Sequence, residues 1–510
     1  KESRPADARP DSRVLERNGP ASAVLRLASM QRYGRAVGQA LANAGLARIH
    51  PLLAGVAALT RPEDSQAAAD LLGCTATSYR EAGYYPESKA LRYLSKVALE
   101  AFVRQGSVTY EERALALEQL VVRVLESGEQ EDVLQVALGY AKYGQALSQS
   151  EGDWFTSKRL ASACCHIRTA LDAQSLPDSS PEPLFQSVDF REDLSPAVFS
   201  ALYSQKRRPV VMRTPEGTHP AWGFKELADH CAEAGLQEQR FEPGSEVWAN
   251  MTPHAETTLR DLLKRWENGD TSGVIFDEPL SRACPLLLAS LRWPACIEQT
   301  DLVRRCPGAG DPEHDPFWDH PSIFVQPAGS RCGVHVDGAH SQFAQAVICG
   351  RKLWSFWPLN DAQQLRWLGR RDEVRLELLP EEDGSGECLR RVVCEQAFPD
   401  LDARQFRRSS SQEISGERSS RDMARRLRLD VEVRAGETIL VPGGIPHQVT
   451  NLENTIAVSQ NFIDIHHASR AALTLRWPLH FYRLAEFLEA EVKRWRGTHE
   501  NGNGWCVPKK

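Results

Sequence analysis

Residues 333–337 read Gly333-Val334-His335-Val336-Asp337, and residues 343–358 read FAQAVICGRKLWSFWP. The second segment is an apolar run interrupted at Gly350-Arg351, and its later half is aromatic. This pattern is typical of two β-strands joined by a tight turn. We therefore predict that Lys352 begins the returning strand, and that His335 and Asp337 come from a strand nearby in the same sheet structure.

A second strand-rich segment follows later in the chain, where residues 436–462 read GETILVPGGIPHQVTNLENTIAVSQNF. Pro and Gly cluster between two apolar stretches, which predicts a strand, a turn and another strand that starts at His447. In the last eight residues, an alternation with a period of two places Ala457, Ser459 and Asn461 on one face of a further strand. That face is polar enough to line a pocket.

Two imidazoles and one carboxylate on β-strands form a three-point face that holds non-haem Fe(II) and leaves positions open for a co-substrate and oxygen. A His-X-Asp triplet alone is weak evidence, because a chain with 14 histidines contains about one by chance. Its setting between predicted strands gives the triplet its weight. His335, Asp337 and His447 are therefore predicted to bind a metal and to support oxidative chemistry.

With these segments the chain resembles the Jumonji C (JmjC) family, Fe(II)- and 2-oxoglutarate-dependent oxygenases built on a double-stranded β-helix of the cupin type. It is most similar to the small, hydroxylase-like branch. The resemblance extends from about Phe190 to Asp464 and is most specific over residues 333–358 and 436–462. It implies that Fe(II), 2-oxoglutarate as co-substrate and O2 are required.

The resemblance also implies a role for individual residues. His335, Asp337 and His447 correspond to the iron ligands, and Lys352 stands where the family's co-substrate lysine stands. A lysine suits that task because a desolvated carboxylate must be paired and hydrogen-bonded. Four further residues are predicted at the co-substrate. Ser459 stands where a related enzyme has a hydroxyl that contacts the same carboxylate, and the amide of Asn461 is expected near the metal or co-substrate. Gln345 stands where some relatives have asparagine, and Cys332 stands where relatives often have threonine.

Several alternatives remain open at this point. The main interpretation is hydroxylation of a protein side chain, and the same chemistry on a carbon bonded to nitrogen would demethylate Arg or Lys. Two further alternatives are a JmjC-fold scaffold that only binds partners and a cupin that uses another metal without 2-oxoglutarate. Lys352 is also open to interpretation as an edge-strand charge that opposes aggregation.

Composition limits the class of protein. A chain of 510 residues, 42% hydrophobic and 25% charged, is long enough for two or three domains with buried cores. The formal net charge of −7 argues against general nucleic-acid binding, and no stretch is long enough to cross a bilayer. Because the chain opens with Lys1, a targeting peptide before it is left open.

The cysteine pattern bears on the compartment. The 12 cysteines are scattered apart from Cys164-Cys165, without a Cys-X-X-Cys pair, which fits neither a zinc ribbon nor a small disulfide scaffold. A reducing compartment, cytoplasmic or nuclear, is therefore predicted.

Domain organisation follows from changes in composition. Residues 21–175 are rich in Ala, Leu, Glu and Arg, with apolar residues at three- and four-residue spacing, and predict an all-α domain that is available to bind a protein partner. Tyr79 to Gly83 and Tyr140 to Gly144 share a Tyr-X-X-X-Gly pattern that faintly resembles tetratricopeptide hairpins. The predicted fold class is α+β, and the predicted segments are a flexible tail (1–20), the helical domain (21–175), a linker (176–188), the JmjC/cupin-like domain (189–470) with an insertion at about 360–430, and a C-terminal helix and tail (471–510).

Overall fold

The computed structural model describes Leu99, Val103 and residues 109–125, 131–176, 182–213, 222–231, 233–241, 251–368, 371–372, 375–380, 387–392, 396–398, 424, 426–477 and 479–500. The chain divides into two compact units, Lys1–Leu171 and Asp172–Lys510. The predicted tail, nearly all of the predicted helical domain before residue 109, and residues 501–510 lie outside the described residues. No helix in the described ranges has the length and apolar character needed to cross a membrane.

The first unit is helical where it is described, as predicted. Its helices are α1 (Tyr110–Leu125), α2 (Glu131–Ser150) and α3 (Trp154–Ser175), the last of which runs across the division between the units. Apolar residues at helical spacing, such as Leu117, Leu120 and Leu134, are fully buried. Tyr140 to Gly144 lies inside α2, whereas Tyr79 to Gly83 lies outside the described residues, so the repeat array stays a prediction.

The second unit is built on two large sheets. The strands are β1 (Asp189–Arg191), β2 (Val210–Arg213), β3 (Leu236–Phe241), β4 (Met251–Thr257), β5 (Gly273–Pro279), β6 (Ser322–Gln326), β7 (Arg331–Val336), β8 (Gln342–Cys349), β9 (Arg351–Phe356), β10 (Arg371–Asp372), β11 (Arg375–Pro380), β12 (Glu387–Val392), β13 (Gln396–Ala397), β14 (Leu429–Arg434), β15 (Glu437–Val441), β16 (His447–Asn451) and β17 (Thr455–Phe462). The nine-stranded sheet has the order β1-β2-β15-β8-β17-β6-β5-β3-β4, and the six-stranded sheet has the order β10-β13-β7-β16-β9-β14.

Helices of the second unit surround these sheets. The α-helices are α4 (Pro196–Phe199), α5 (Phe224–Cys231), α6 (Leu259–Glu267), α7 (Leu280–Ala283), α8 (Pro285–Ser290), α9 (Ala295–Glu298), α10 (Asp361–Trp367), α11 (Ala468–Arg476) and α12 (Tyr482–Glu500). A π-helical turn follows α4 at Ser200–Ser204, and short 3-10 helices lie at Val303–Arg305 and Gly338–His340.

From β6 to β9 and from β14 to β17, consecutive strands alternate between the two sheets. Each sheet therefore interleaves strands from two distant parts of the sequence: β16 lies between β7 and β9, and β8 lies between β15 and β17. Apolar side chains from both sheets, including Val347, Trp354 and Val449, are buried together between them. The predicted α+β class with a double-stranded β-helix is confirmed.

The turn predicted at Gly350-Arg351 is the point where the chain passes from one sheet to the other. Gly350 has a φ of +82°, and a Cβ there would lie 2.2 Å from the backbone oxygen of Asn454. Only glycine meets both demands. The strands on either side, β8 and β9, therefore pair with other strands and not with each other, and Lys352 becomes the second residue of β9.

Two predicted segments contain more regular structure than was predicted for them. The insertion at 360–430 contains α10, which starts with a reciprocal capping box between Asn360 and Gln363, and β13, which pairs with β7. Most of its Ser/Arg/Glu stretch lies outside the described residues. In place of the one C-terminal helix predicted within 471–510 there are two helices, α11 and α12, and the sequence places Pro478 between them.

A disulfide that the cysteine pattern did not predict joins Cys231 at the end of α5 to Cys284, with Cα atoms 5.2 Å apart. Both residues are buried in the core beside the nine-stranded sheet. Six other described cysteines lie outside this disulfide: Cys164, Cys165, Cys296, Cys306, Cys332 and Cys349.

Candidate metal centre

Sheet register brings the two candidate histidine ligands together. β7 and β16 are antiparallel neighbours, and His447, the first residue of β16, pairs directly with His335 on β7. Residues that face each other across antiparallel strands have close side chains, and the two imidazole ring centroids are 4.3 Å apart. Asp337 follows β7 by one residue, so its carboxylate reaches the same point.

The three ligand atoms form a compact triangle. The Nε2 atoms of His335 and His447 each lie 3.8 Å from Oδ1 of Asp337, and all three atoms lie within 4.8 Å of one another. A metal about 2 Å from each ligand atom requires separations close to these. Within the described ranges, this is the one group of His, Cys, Asp or Glu residues with such geometry.

Backbone contacts fix how the imidazoles are presented. Nδ1 of His335 donates to the carbonyl of Gly333 at 2.8 Å, and Nδ1 of His447 donates to the carbonyl of Ile445 at 2.9 Å. With the proton on Nδ1, the lone pair is on Nε2, the nitrogen that faces Asp337. Both rings are therefore held in the tautomer that a metal needs.

Burial makes these groups unfavourable as charges in the metal-free protein. It lowers the pKa of His335 to about 4, and burial together with the neighbouring His335 lowers the pKa of His447 well below its ordinary value. Burial, with a smaller contribution from the charge of Asp277, raises the pKa of Asp337 to about 8. Neutral imidazoles are ready ligands, and a bound cation would restore the ionised carboxylate. The donor set fits a divalent transition metal.

Lys352 is a buried cation on β9, the strand on the other side of β16. It is 1% exposed, and its Nζ donates to Oε1 of Gln326 at 3.1 Å. In the described part of the chain, no carboxylate pairs with it. Burial lowers the pKa of Lys352 to about 7, partly offset by the nearby thiol of Cys332. A buried amine without a counter-ion is costly, so the surroundings of Lys352 are suited to an incoming anion.

The triad and Lys352 line one cavity. Of the other predicted pocket residues, Cys332, Gln345 and Asn461 also line it, whereas Ser459 does not. The full lining is Phe276, Asp277, Phe324, Gln326, Cys332, His335, Asp337, Phe343, Gln345, Lys352, Trp354, His447, Val449 and Asn461.

Ser459 and Asn461 share a strand face but make different contacts. The Ser459 hydroxyl lies 3.0 Å from the hydroxyl of Ser322, its partner on β6, and contacts neither Lys352 nor a metal ligand. The Asn461 amide nitrogen donates to the hydroxyl of Ser341 at 2.7 Å. The hydrogen-bond partner of Lys352 is Gln326, and the contact of Ser459 with the co-substrate carboxylate stays a prediction.

Seven lining residues were not predicted, and three of them stand out. Gln326 ends β6 after the apolar residues 323–325, and Trp354 stacks on His447 with ring centroids 5.4 Å apart. Asp277 has a left-handed backbone with a φ of 55° and accepts a hydrogen bond from Ser322 at 2.5 Å. A non-glycine residue in this conformation is uncommon and often marks a functional site. In the sequence, only the polar end of the 322–326 strand hinted at any of them.

Comparison with known proteins agrees with this architecture. A family model described as a cupin-like domain matches residues 196–467, more than half of the chain. The human 2-oxoglutarate and iron-dependent oxygenase JMJD4 is 24% identical over 61% of this chain and 64% of its own length. The zebrafish protein of the same name is 24% identical over 37% of this chain and 36% of its own length.

The Arabidopsis thaliana lysine-specific demethylase JMJ21 is 23% identical over 61% of this chain and 28% of its own length. The chain thus spans less than two thirds of the curated relatives that it matches. The sheet order, the facing histidines and the family match lead to one conclusion. The chain belongs to the cupin-like domain family, and its predicted similarity to the JmjC members of that family is confirmed.

Proposed function

We propose that this chain is an Fe(II)- and 2-oxoglutarate-dependent oxygenase that hydroxylates a side chain of a protein substrate. The observation that carries the proposal is the combination, in one cavity, of a His-Asp-His face with a buried lysine that no described carboxylate neutralises. The metal face alone would fit several cupin chemistries. The additional cation selects those that bind an anion beside the metal.

In this proposal His335, Asp337 and His447 would hold Fe(II). Lys352 pairs with the distal carboxylate of 2-oxoglutarate, and the amide of Gln326, already bonded to Lys352, holds the ammonium in place. Bound Fe(II) and 2-oxoglutarate supply the chemistry in which oxygen converts the co-substrate to succinate and CO2 and hydroxylates a C–H bond.

The remaining lining residues exclude water and orient the substrate. Phe276 and Phe324 contact edge to face with centroids 4.9 Å apart, and Phe343 adds a third apolar ring. Apolar rings at these positions limit side reactions with solvent. The carboxylate of Asp277 is 40% exposed, and its charge would favour a basic substrate side chain.

Hydroxylation is preferred to the alternatives. The scaffold alternative does not account for three ligands and an anion-seeking lysine meeting in one cavity. Demethylation would require a substrate carbon bonded to nitrogen, and a basic side chain beside Asp277 fits that reaction as well as hydroxylation, so the mass change of the product separates the two. The human and zebrafish JMJD4 relatives are named 2-oxoglutarate and iron-dependent oxygenases, which supports the oxygenase proposal.

Partner and compartment belong to the same proposal. We place a protein-binding role in the helical unit and the protein in the cytoplasm or nucleus. The thiols of Cys164, Cys165, Cys296, Cys306 and Cys349 support a reducing compartment, whereas the Cys231–Cys284 disulfide is unusual there. Alkylation of native protein before and after reduction, followed by mass spectrometry, tests the compartment: a cysteine pair that stays oxidised in cell extracts would contradict it.

The activity is tested by incubating the purified chain with Fe(II), ascorbate, 2-oxoglutarate and a pool of peptides. We expect succinate release and a mass gain of about 16 Da, one oxygen atom, on a peptide side chain. The His447→Ala variant and a reaction without Fe(II) are the controls and should release none. Equal succinate from wild type and His447→Ala would refute the proposal.

A further inference from the structure

The turn that leads into His447 is packed against an element outside the metal site. Gly443 and Gly444 lie between β15 and β16, and a Cβ on Gly443 would lie 2.1 Å from the backbone oxygen of His340. A Cβ on Gly444, whose φ is +75°, would lie 2.6 Å from Nη2 of Arg207. The turn before the third ligand therefore has one close neighbour in the segment after Asp337 and another in Arg207.

Arg207 binds this turn through the backbone. Its Nη2 donates to the carbonyl of Gly444 at 2.6 Å, and its Nε donates to the carbonyl of Gly443 at 3.3 Å. Nη2 also donates to Oδ1 of Asp361 at 3.0 Å, which compensates the charge of a guanidinium that is only 13% exposed. Arg207 itself has a left-handed backbone with a φ of 52°, a conformation uncommon for arginine.

A second donor reaches the same carbonyl. The Nε2 atom of Gln364, on α10, donates to Gly444 at 2.6 Å and to the carbonyl of Leu359 at 2.9 Å. Gln364 is 1% exposed. The carbonyl of Gly444 thus accepts from two side chains on separate elements, and the next carbonyl along the chain, that of Ile445, accepts from Nδ1 of His447.

We infer that Arg207, assisted by Gln364, is a positioning residue of the metal centre: by holding the Gly443-Gly444 carbonyls it sets the Ile445 carbonyl that orients the His447 imidazole. This inference rests on the proposed function, because it takes His447 as a metal ligand. Outer contacts that orient a ligating histidine commonly govern metal affinity. Arg207 does not line the cavity, so its effect is transmitted through the turn.

The test is Co(II) titration of the full chain, because the absorption spectrum of Co(II) reports its coordination geometry. Arg207→Gly removes the guanidinium and suits the left-handed backbone, and Gln364→Leu removes the second donor at similar volume. Arg213→Gln is the matched control, since Arg213 pairs at 3.5 Å with Glu437 at the start of β15 and is 62% exposed.

We expect Arg207→Gly to weaken Co(II) binding about tenfold and to alter the Co(II) spectrum, with a smaller change of the same kind in Gln364→Leu. The control should match wild type in both readouts. Folded Arg207→Gly and Gln364→Leu variants with wild-type affinity and spectrum would overturn the inference, and Gln364→Leu decides alone if Arg207→Gly does not fold. Absence of Co(II) binding by wild type would instead overturn the proposed function, and the inference with it.

Discussion

The two walls of the cavity differ in the kind of side chain that they contribute. Strands β7, β9 and β16 of the six-stranded sheet carry or directly precede the ionisable groups His335, Asp337, His447 and Lys352. Strands β6, β8 and β17 of the nine-stranded sheet contribute the neutral amides of Gln326, Gln345 and Asn461, and β5 of the same sheet contributes one carboxylate, Asp277. We call β7, β9 and β16 the charged wall and β6, β8 and β17 the neutral wall. The difference indicates that one sheet supplies the metal and anion sites, while the facing strands adjust their shape and hydrogen bonding.

The largest expected effect is loss of the carboxylate from the charged wall. Asp337→Ala should weaken Mn(II) binding by more than about 100-fold, because even outer-shell changes cost 10- to 100-fold, and it should abolish succinate release. Isothermal titration with Mn(II) measures the first effect. Asp430→Ala is the control, since Asp430 lies on β14, is 45% exposed and pairs with Arg428. If Asp337→Ala kept the Mn(II) affinity of wild type, the assignment of the metal site to this wall would be wrong.

The next effect separates the two functions of the charged wall. Lys352→Met should lower the affinity for 2-oxoglutarate by at least about 30-fold, the effect of truncating one partner of a buried charge pair. Its Mn(II) affinity should stay within about twofold of wild type, because Lys352 contacts none of the three ligands. Lys264→Met, an exposed lysine on α6, is the control. If Lys352→Met bound 2-oxoglutarate as tightly as wild type, the distal carboxylate would bind at another group.

The pH dependence of co-substrate binding tests the same lysine without removing it. Burial lowers the pKa of Lys352 from 10.5 to about 7, so the free protein loses the ammonium proton as the pH rises above about 7. The anion requires that proton, and its affinity should therefore fall from pH 7 to pH 9 by up to about tenfold per unit. Titration of Mn(II)-loaded protein should show this slope in wild type and not in Lys352→Met.

The same lowering of the Lys352 pKa should make the folded protein more stable as the pH rises, whereas it should weaken co-substrate binding. The unfolded chain keeps its lysine protonated up to about pH 10.4, whereas the folded, ligand-free protein releases this proton near pH 7. Between these values the unfolded state binds more protons, so the free energy of unfolding gains a contribution that grows with pH, at most about 1.4 kcal/mol per unit. Denaturant titrations at pH 7 and pH 9 should show a larger gain in wild type than in Lys352→Met.

The charged wall was the part that sequence could predict. His335, Asp337 and Lys352 lie in a short segment with recognisable strand and turn signals, and His447 follows a Pro-Gly turn at the start of a strand. Whether these four side chains lie close together depends only on which strands pair. The contribution of β13 to this sheet could not be predicted, because its two residues lie in an insertion whose composition is typical of a loop.

The neutral wall was harder to predict for a physical reason. Alternation along β17 correctly places Ser459 and Asn461 on one face, yet it does not say how far along the strand the cavity extends. Gln326 carries no motif, and its contact with Lys352 depends on β6 lying in the opposite sheet. Proximity between strands of different sheets is a property of the three-dimensional packing and not of local sequence.

The smallest expected effects compare two residues of the neutral wall. Gln326→Leu should weaken 2-oxoglutarate binding about fivefold, because it removes one hydrogen bond to the ammonium that holds the anion. Ser459→Ala should change the affinity by less than about twofold, because the hydroxyl contacts Ser322 and does not line the cavity. Both are measured by titration of Mn(II)-loaded protein with the co-substrate. If Ser459→Ala weakened 2-oxoglutarate binding more than Gln326→Leu, Ser459 would have the role predicted from the sequence. The anion would then reach further along β17 than the cavity described above.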